Sequence, residues 1–559
     1  MNECLKLKKS NCKNCYKCIR HCPVKSIRFS SGQAHIIEDE CILCGHCFVH
    51  CPQNAKEIRN DIDIAKQFIA EGNKVYASIA PSFVANYDGK TISSIKKALL
   101  QLGFYDVEET AVGATIVKKA YEDMISSGEN DIIISSCCPT VNMLIQKYYP
   151  EALKYLAQVM SPMQVHCSKI KKEHKNAKTI FIGPCISKKA EASQYPGIVD
   201  CVLTFEELSQ WFAMEGVKLE DIKDTDENKG KTRLFPTNGG VLKSMDCSNP
   251  DYGYISIDGI ENCISALKDI LNGKISKCFI EMSSCSGSCV GGPIMERTHL
   301  YPVRDYLWVK DYAGDEDFRV KMPSSKDLLK EMKPIDVVGS APDSIAINEI
   351  LHRMGKTKPE HELNCGTCGY NTCREKAAAV LRGKADLSMC LPYLKEKAES
   401  FSEKIISSTP NGVIVTNEDL KIQQINKSAC QITNIKDEHD VLGEHIVRIL
   451  DPTIFFDVLQ GGKDIRDKMV YLSEYKKYIE QTVVHDKSYN LLLCLMRDVT
   501  EREKERQKKD ELSKHTMEIA DKVIEKQMRV VQEIALLLGE TTAETKIAMT
   551  NLKESLEDE

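Results

Sequence analysis

Apolar runs and amphipathic stretches alternate along the chain from Asp61 to about Lys330. Asp61–Asn73 has apolar residues at helical spacing and is expected to form a connecting helix. Lys74–Ser82 (KVYASIAPS) is a short apolar run closed by a turn, which predicts a strand. Strand-like runs recur at Asp131–Ile134, Thr179–Ile182 and Asp200–Leu203, with helix-like segments between them. This alternation predicts an α/β architecture, in which loops at strand ends build sites. After Lys330 the composition turns helical and charged. Phe401–Glu501 reads as a small α+β unit: short strands, a turn at Asn417-Glu418-Asp419, then a helical stretch. From Thr500 the chain is dense in Glu, Lys and Arg. Leu512, Ile519, Val523, Val530, Ile534 and Leu537 there mark one long amphipathic helix, coiled on a partner or solvated alone. Gly539 is its expected stop, and Thr541-x2-Glu544 the capping box of a final helix.

Length and charge narrow the function classes. A chain of 559 residues is expected to form several domains, and 42% hydrophobic residues suffice for their cores. A net charge of −6, with no basic block, argues against nucleic acid as a partner. No run approaches the roughly 18 apolar residues of a membrane span. The N-terminal stretch lacks the apolar core of a signal peptide, so a cytoplasmic location without a membrane partner is expected.

The 25 cysteines change the picture most. Many fall in tight CxxC groups, which in a long chain favours metal ligation over disulfides. Cys12, Cys15, Cys18 and Cys22-Pro23 are followed by Cys41, Cys44, Cys47 and Cys51-Pro52 with the same spacing. This is the two-cluster bacterial ferredoxin pattern, in which the fourth cysteine of each run serves the other cluster. Cys12, Cys15, Cys18 and Cys51 are therefore expected on one [4Fe–4S], and Cys22, Cys41, Cys44 and Cys47 on the second. Cys365, Cys368, Cys373 and Cys390 form another four-cysteine motif. It resembles the small [4Fe–4S] domain of several redox proteins, with zinc as the competing reading. Cys4 is expected to be structural. Cys167, Cys201, Cys247, Cys263, Cys278, Cys430 and Cys494 are expected to be buried core.

Three further segments sit apart in sequence: Ser135–Val141 (SSCCPTV), Gly183–Glu191 (GPCISKKAE) and Ile280–Pro293 (IEMSSCSGSCVGGP). In this order, behind a ferredoxin-like start, they resemble the active-site signatures of the [FeFe] hydrogenases. The resemblance covers roughly residues 1–310. It implies an H-cluster, a [4Fe–4S] cubane joined to a two-iron unit carrying CO, cyanide and a dithiolate amine. Cys138, Cys185, Cys285 and Cys289 would hold the cubane, and Cys289 would bridge to the two-iron unit. Cys137 would pass a proton to the bridgehead amine, a role a thiol's pKa suits. Lys188 would donate to one cyanide, with adjacent Lys189 read as a solvated surface lysine. Ala80, Pro81 and Ser82 match the segment approaching the other cyanide. Glu191 and Glu281 fall at family positions with expected structural roles. The Phe401–Glu501 region, closing in SYNLLLCLMRDVTERE, resembles a PAS domain.

The departures from the family pattern carry the rest. Thr140 and Val141 follow Pro139 where glycine and tryptophan are usual. Gly183 and Ser283 replace methionines, and Ser288 replaces glycine, which predicts a roomier, more polar pocket. Val117 and Ala120 stand where acids relay protons in catalytic relatives, and Ala157 where a serine does. Glu122 is the nearest candidate acid, and a relay with missing members predicts slow turnover. The reading is a multidomain α/β protein: a two-cluster ferredoxin-like domain (1–60), an H-cluster domain (61–330), a four-Cys [4Fe–4S] domain (331–397), a PAS-like domain (398–501) and an amphipathic helical tail (502–559). As a sensory [FeFe] hydrogenase it would take H2 and protons, exchange electrons with ferredoxin or another carrier, and signal to a kinase or phosphatase, with a homodimer as a further expected state. A catalytic hydrogenase and a non-enzymatic iron–sulfur protein without the diiron unit are the competing readings.

Overall fold

The computed structural model describes residues 4–8, 11–224, 229–298, 302–337 and 342–557. The chain divides into two compact units, Met1–Leu394 and Lys395–Glu559.

The first unit opens with two small antiparallel pairs, Leu5–Leu7 with Lys56–Ile58 and Ile27–Ser30 with Gln33–Ile36. Two one-turn helices, Lys17–Arg20 and His46–Val49, each follow a residue in the left-handed region, Tyr16 at φ 56° and Gly45 at φ 79°. The helix Ile62–Ala70 then leads into two parallel sheets. One has the order Asp106–Glu109, Val75–Ile79, Lys178–Gly183, Cys201–Thr204. The other has the order Gly253–Asp258, Cys278–Ser283, Ile132–Ile134. Val75–Ile79 and Ile132–Ile134 are buried throughout. Strands covered on both faces read as unbroken apolar runs, which is why these were visible in the sequence. The stretch after Lys330 runs without helix from Glu331 to Val337, and the helix Ser344–Arg353 begins only behind Asp343.

The structure corrects two assignments here. Lys189 is fully buried, not solvated. Its Nζ donates to Asp61 Oδ2 at 2.8 Å, Glu207 Oε1 at 2.9 Å and Val202 O at 2.8 Å. It thereby ties the helices Ser187–Gln194 and Phe205–Glu215 to the start of Ile62–Ala70. Cys247 is exposed, on the loop after the short helix Gly240–Ser244, whereas Cys167, Cys201, Cys263, Cys278, Cys430 and Cys494 are buried as expected.

In the second unit a five-stranded antiparallel sheet has the order Ile422–Ile425, Gly412–Asn417, Leu491–Asp498, Lys477–Asp486, Ile465–Leu472. The helices Lys427–Ile432 and Thr453–Gly461 contribute buried residues to its core. The tail is a single helix, Thr500–Glu557, that runs through Gly539 without a break. A lone glycine costs a helix only about 1 kcal/mol relative to alanine, too little to end one flanked by strong helix formers. Thr541 accordingly makes no cap: its hydroxyl bonds back to Leu537 O at 2.7 Å. No described helix is long and apolar enough to cross a membrane.

Candidate metal centre

Three strand ends converge on one cavity. Ile132–Ile134 runs into Ser135–Cys138, Lys178–Gly183 into Pro184–Ile186, and Cys278–Ser283 into Ser284–Cys289. The first loop is pinned from three sides. Ser136 N donates to Tyr121 Oη at 2.9 Å, Ser136 Oγ donates to Val159 O at 2.8 Å, and Met282 N donates to Ser135 Oγ at 3.1 Å. Cys138 caps the helix Pro139–Tyr148, whose proline occupies the position where a missing N–H costs nothing.

The cavity holds about 120 Å³, and Cys138, Cys185, Cys285 and Cys289 all line it. The Cys285 thiol is pushed well up, first by burial and then by the facing Cys138, Cys185 and Cys289. Cys138, Cys185 and Cys285 are partly covered and Cys289 is exposed, and thiolates gathered this closely repel one another, a cost that bound iron would remove. The other quartets also assemble. Cys22, Cys41, Cys44 and Cys47 line one small pocket, and Cys365, Cys368, Cys373 and Cys390 line another. Cys18 is pushed up to about 11 by burial, with Cys12, Cys51 and Cys15 adding to it. Among the described residues no three His, Cys, Asp or Glu side chains are grouped to hold a single metal ion.

Beside the thiols stand the groups expected to hold a diatomic-ligated unit. Ala80, Pro81, Ser82, Ser283 and Lys188 line the same cavity. Ser82 Oγ is buried and has no hydrogen-bond partner among the described residues, so a polar ligand there would satisfy it. Lys188 Nζ donates to Glu191 Oε2 at 2.7 Å and to Cys137 O at 3.3 Å. Burial opposes the Lys188 charge, but Glu191 raises its pKa, so the ammonium persists. Burial likewise opposes the Glu191 carboxylate, yet Lys188 and Lys330 hold it down to about 2. These residues fit an anionic cofactor.

Cys137 also lines the cavity without belonging to the quartet. Burial pushes its thiol up to about 12, against the pull of the Tyr121 hydroxyl, 3.3 Å from its Sγ, and of Lys188. Val117, Ala157 and Tyr121 pack in one apolar cluster on which Cys137 rests, with Ala120 beside it. Glu122 is tied up elsewhere, 3.6 Å from both Lys118 and Lys119 and accepting from Asp246 N at 2.9 Å.

Three further residues act differently from the sequence reading. Gly183 does not simply open the pocket. A Cβ there would meet the Phe181 ring at 2.7 Å and Ala80 at 3.2 Å, so the ring occupies the space a larger side chain would take. Lys330, outside every motif, is buried against Glu191. Glu281 lines the cavity, and burial raises its carboxyl to about 7, although Leu242 N, donating to Oε2 at 3.0 Å, opposes the shift. A raised acid makes folding favour the protonated form. This contribution is complete below the unfolded value of 4.5 and is lost as pH rises through about 7. Loaded protein should therefore lose up to about 3 kcal/mol across that window, and Glu281→Gln should flatten the loss. Denaturant midpoints measured against pH check this, and an unchanged slope in the variant contradicts it.

Ser288 lies at φ 64°, in the left-handed region where a Cβ is disfavoured by roughly 1–2 kcal/mol. It stands between Cys285 and Cys289, in a turn already entered through Gly287 at φ 78°. Ser288→Gly should raise stability by about 1 kcal/mol, read from the same midpoints, and a loss would show that the serine hydroxyl is needed.

Residues 73–293 match the model of the iron-only hydrogenase large subunit, C-terminal domain. Residues 4–52 match a 4Fe-4S dicluster domain, 362–392 an Fe-S cluster domain, and 400–499 the PAS fold. The chain is 26% identical over 281 residues to iron hydrogenase 1 of Clostridium pasteurianum, covering 40% of this chain and 49% of that protein, about half its length. It is 25% identical over 384 residues to the periplasmic [Fe] hydrogenase large subunit of Nitratidesulfovibrio vulgaris, covering 56% and 90% respectively. It is 24% identical over 263 residues to the cytosolic Fe-S cluster assembly factor NAR1 of Encephalitozoon cuniculi, covering 41% and 69%. A variant of the [FeFe]-hydrogenase HydA1 of Chlamydomonas reinhardtii aligns with TM-score 0.39 and 15% identity, covering 50% of this chain and all of that one. The chain is a hydrogenase-like iron–sulfur protein in which a 4Fe-4S dicluster domain, an iron-only hydrogenase domain, a further Fe-S domain and a PAS fold follow one another in that order.

Proposed function

We propose that this protein is a sensory [FeFe] hydrogenase that binds hydrogen and splits it slowly and reversibly. When bound in the cavity, an H-cluster would supply the redox chemistry of hydrogen cleavage. Cys138, Cys185, Cys285 and Cys289 would hold its cubane, and Cys289 would also grip the two-iron unit. Lys188 Nζ and Ser82 Oγ would orient that unit by hydrogen bonds from either side. Cys137 Sγ would hold the proton exchanged with the reacting centre. Redox change would pass through the [4Fe–4S] clusters to the PAS domain and tail, and from there to a kinase or phosphatase, with ferredoxin or another carrier refilling the clusters.

The observation that carries this reading is the pairing of a fully furnished pocket with an outlet that lacks its acids. The quartet, Lys188, Ser82 and Cys137 all meet in one cavity. Val117 and Ala157 pack apolar where a proton would leave. A slow, tightly binding site suits an output that is a population shift and not a flux. The competing non-enzymatic reading is favoured by the likeness to a protein named as an iron–sulfur assembly factor.

Infrared spectroscopy of matured protein under hydrogen tests the proposal, alongside hydrogen turnover. The expected result is a set of CO and cyanide bands that changes with hydrogen, with turnover well below that of a catalytic hydrogenase. Absence of the bands would leave the non-enzymatic reading, and turnover equal to a catalytic enzyme would remove the sensory one.

A further inference from the structure

The Cys365 quartet is docked on the ferredoxin-like region. Gly369, next to Cys368, adopts φ 90°, and a Cβ on it would meet Ile19 at 3.0 Å and Arg20 N at 3.2 Å. Lys25 fills the seam: its Nζ donates to Ile19 O, Arg20 O and Gly369 O, each at 3.1 Å. Phe29 N donates to Lys384 O at 2.7 Å, and Lys384 pairs with Glu40. Lys25 and the buried Tyr370 each lie within electrostatic reach of both Cys22 and Cys368. Tyr16, between Cys15 and Cys18, also faces Cys368 and offers a competing approach. Its ring, however, turns edge-on to Phe29, 5.1 Å between centroids. Lys25, three residues after Cys22, instead reaches the carbonyl adjoining Cys368 directly.

The Cys22 quartet also meets the main cavity. Gly45, beside Cys44, sits at φ 79°, where a Cβ would strike Pro293 at 2.5 Å and approach Ile186, beside Cys185, at 3.2 Å. Lys147, on the helix that Cys138 caps, donates to Cys41 O at 2.8 Å.

We propose that the Lys25–Gly369 bridge couples the Cys365 quartet to the Cys22 quartet, which thereby serves as a junction. The Gly45 contact leads from this junction to the cavity, and the Cys12, Cys15, Cys18, Cys51 quartet forms a side branch toward an external carrier. Each transfer between neighbouring clusters is a one-electron exchange, the donor oxidised as the acceptor is reduced, with no bond made or broken; splitting of one H2 in the cavity would supply two such electrons in succession and release two protons to solvent. The inference rests on the ligand assignment under Proposed function.

Electron paramagnetic resonance on the fully loaded, full-length protein tests it in two arms. Lys25→Met removes a cation lying beside both quartets. Two cluster potentials should move negative in a redox titration while the Cys12-quartet potential stays. Cys15→Ala removes an exposed ligand of the side branch, and the spin-coupled broadening of the Cys365-quartet signal should persist. Loss of that broadening in Cys15→Ala, or unmoved potentials in Lys25→Met, would overturn the junction while leaving the ligand assignment in place. Unchanged iron content in Cys365→Ala would overturn that assignment and the junction with it.

Discussion

Cys137→Ser should reduce hydrogen turnover by about 10²- to 10⁴-fold, the usual worth of a positioned proton-transfer group, while iron content and infrared bands remain. The separation is expected because Cys137 stands outside the ring of thiols. Cys285 faces Cys138, Cys185 and Cys289, whereas Cys137 has Tyr121 as its hydrogen-bond partner. Burial already holds the Cys137 proton firmly, with a pKa of about 12, so further weakening of its acidity leaves little exchange. A serine hydroxyl in the same place ionises far less readily than any thiol. The surrounding Val117, Ala157 and Tyr121 include no carboxylate to take over. Tyr121→Phe provides the control: it removes the one hydroxyl on the Cys137 thiol and should shift the pH profile of turnover, not abolish it. Full turnover in Cys137→Ser would mean that protons reach the pocket by another route, with Glu281 the first residue to suspect because it lines the same cavity.

The cysteine groupings were readable from the chain because their signal is local. CxxC spacing is what one loop wrapping a cubane requires, and the repeated run ending in Cys-Pro sets eight of the nine N-terminal cysteines apart from Cys4. The cavity itself was readable only through resemblance, since Cys138, Cys185 and Cys285 are separated by whole strands and helices. The effect of Gly183 on pocket size is not legible from the glycine alone. Residues two apart on a strand share a face, so Phe181 lies on the side that Gly183 vacates. The same rule places Glu281 and Ser283 on one face of their strand, and both line the cavity. The uninterrupted tail helix shows a different limit: a single glycine is a weak stop signal, outweighed by the leucines before it and the long helix on either side. Lys330 had no local signal, because its partner Glu191 lies far away along the chain.

Lys188 and Lys189 are neighbours of identical type, and their replacement should separate function from stability. Lys189→Met should cost about 3–5 kcal/mol, the usual price of leaving buried partners uncompensated. Asp61 and Glu207 would both remain buried without their shared cation, and three elements of the first unit meet at that point. Arg59, 2.8 Å from Asp61, can offset only part of the loss, since it does not reach Glu207 in the observed arrangement. Lys188→Met should instead change stability by no more than about 1 kcal/mol, because Glu191 keeps Lys330 and accepts from Ser161 Oγ at 2.9 Å. Its effect should appear in the cyanide bands, whose frequencies respond to loss of a charged donor. Denaturant unfolding followed by cluster absorbance measures the first outcome and infrared spectroscopy the second. Neutralising all three groups, with Lys189→Met, Asp61→Asn and Glu207→Gln together, should restore part of the lost stability, because the only group then left without its charged partner is the more exposed Arg59. Equal destabilisation by the two single variants would show that Lys188, too, is held in place mainly to keep the fold together.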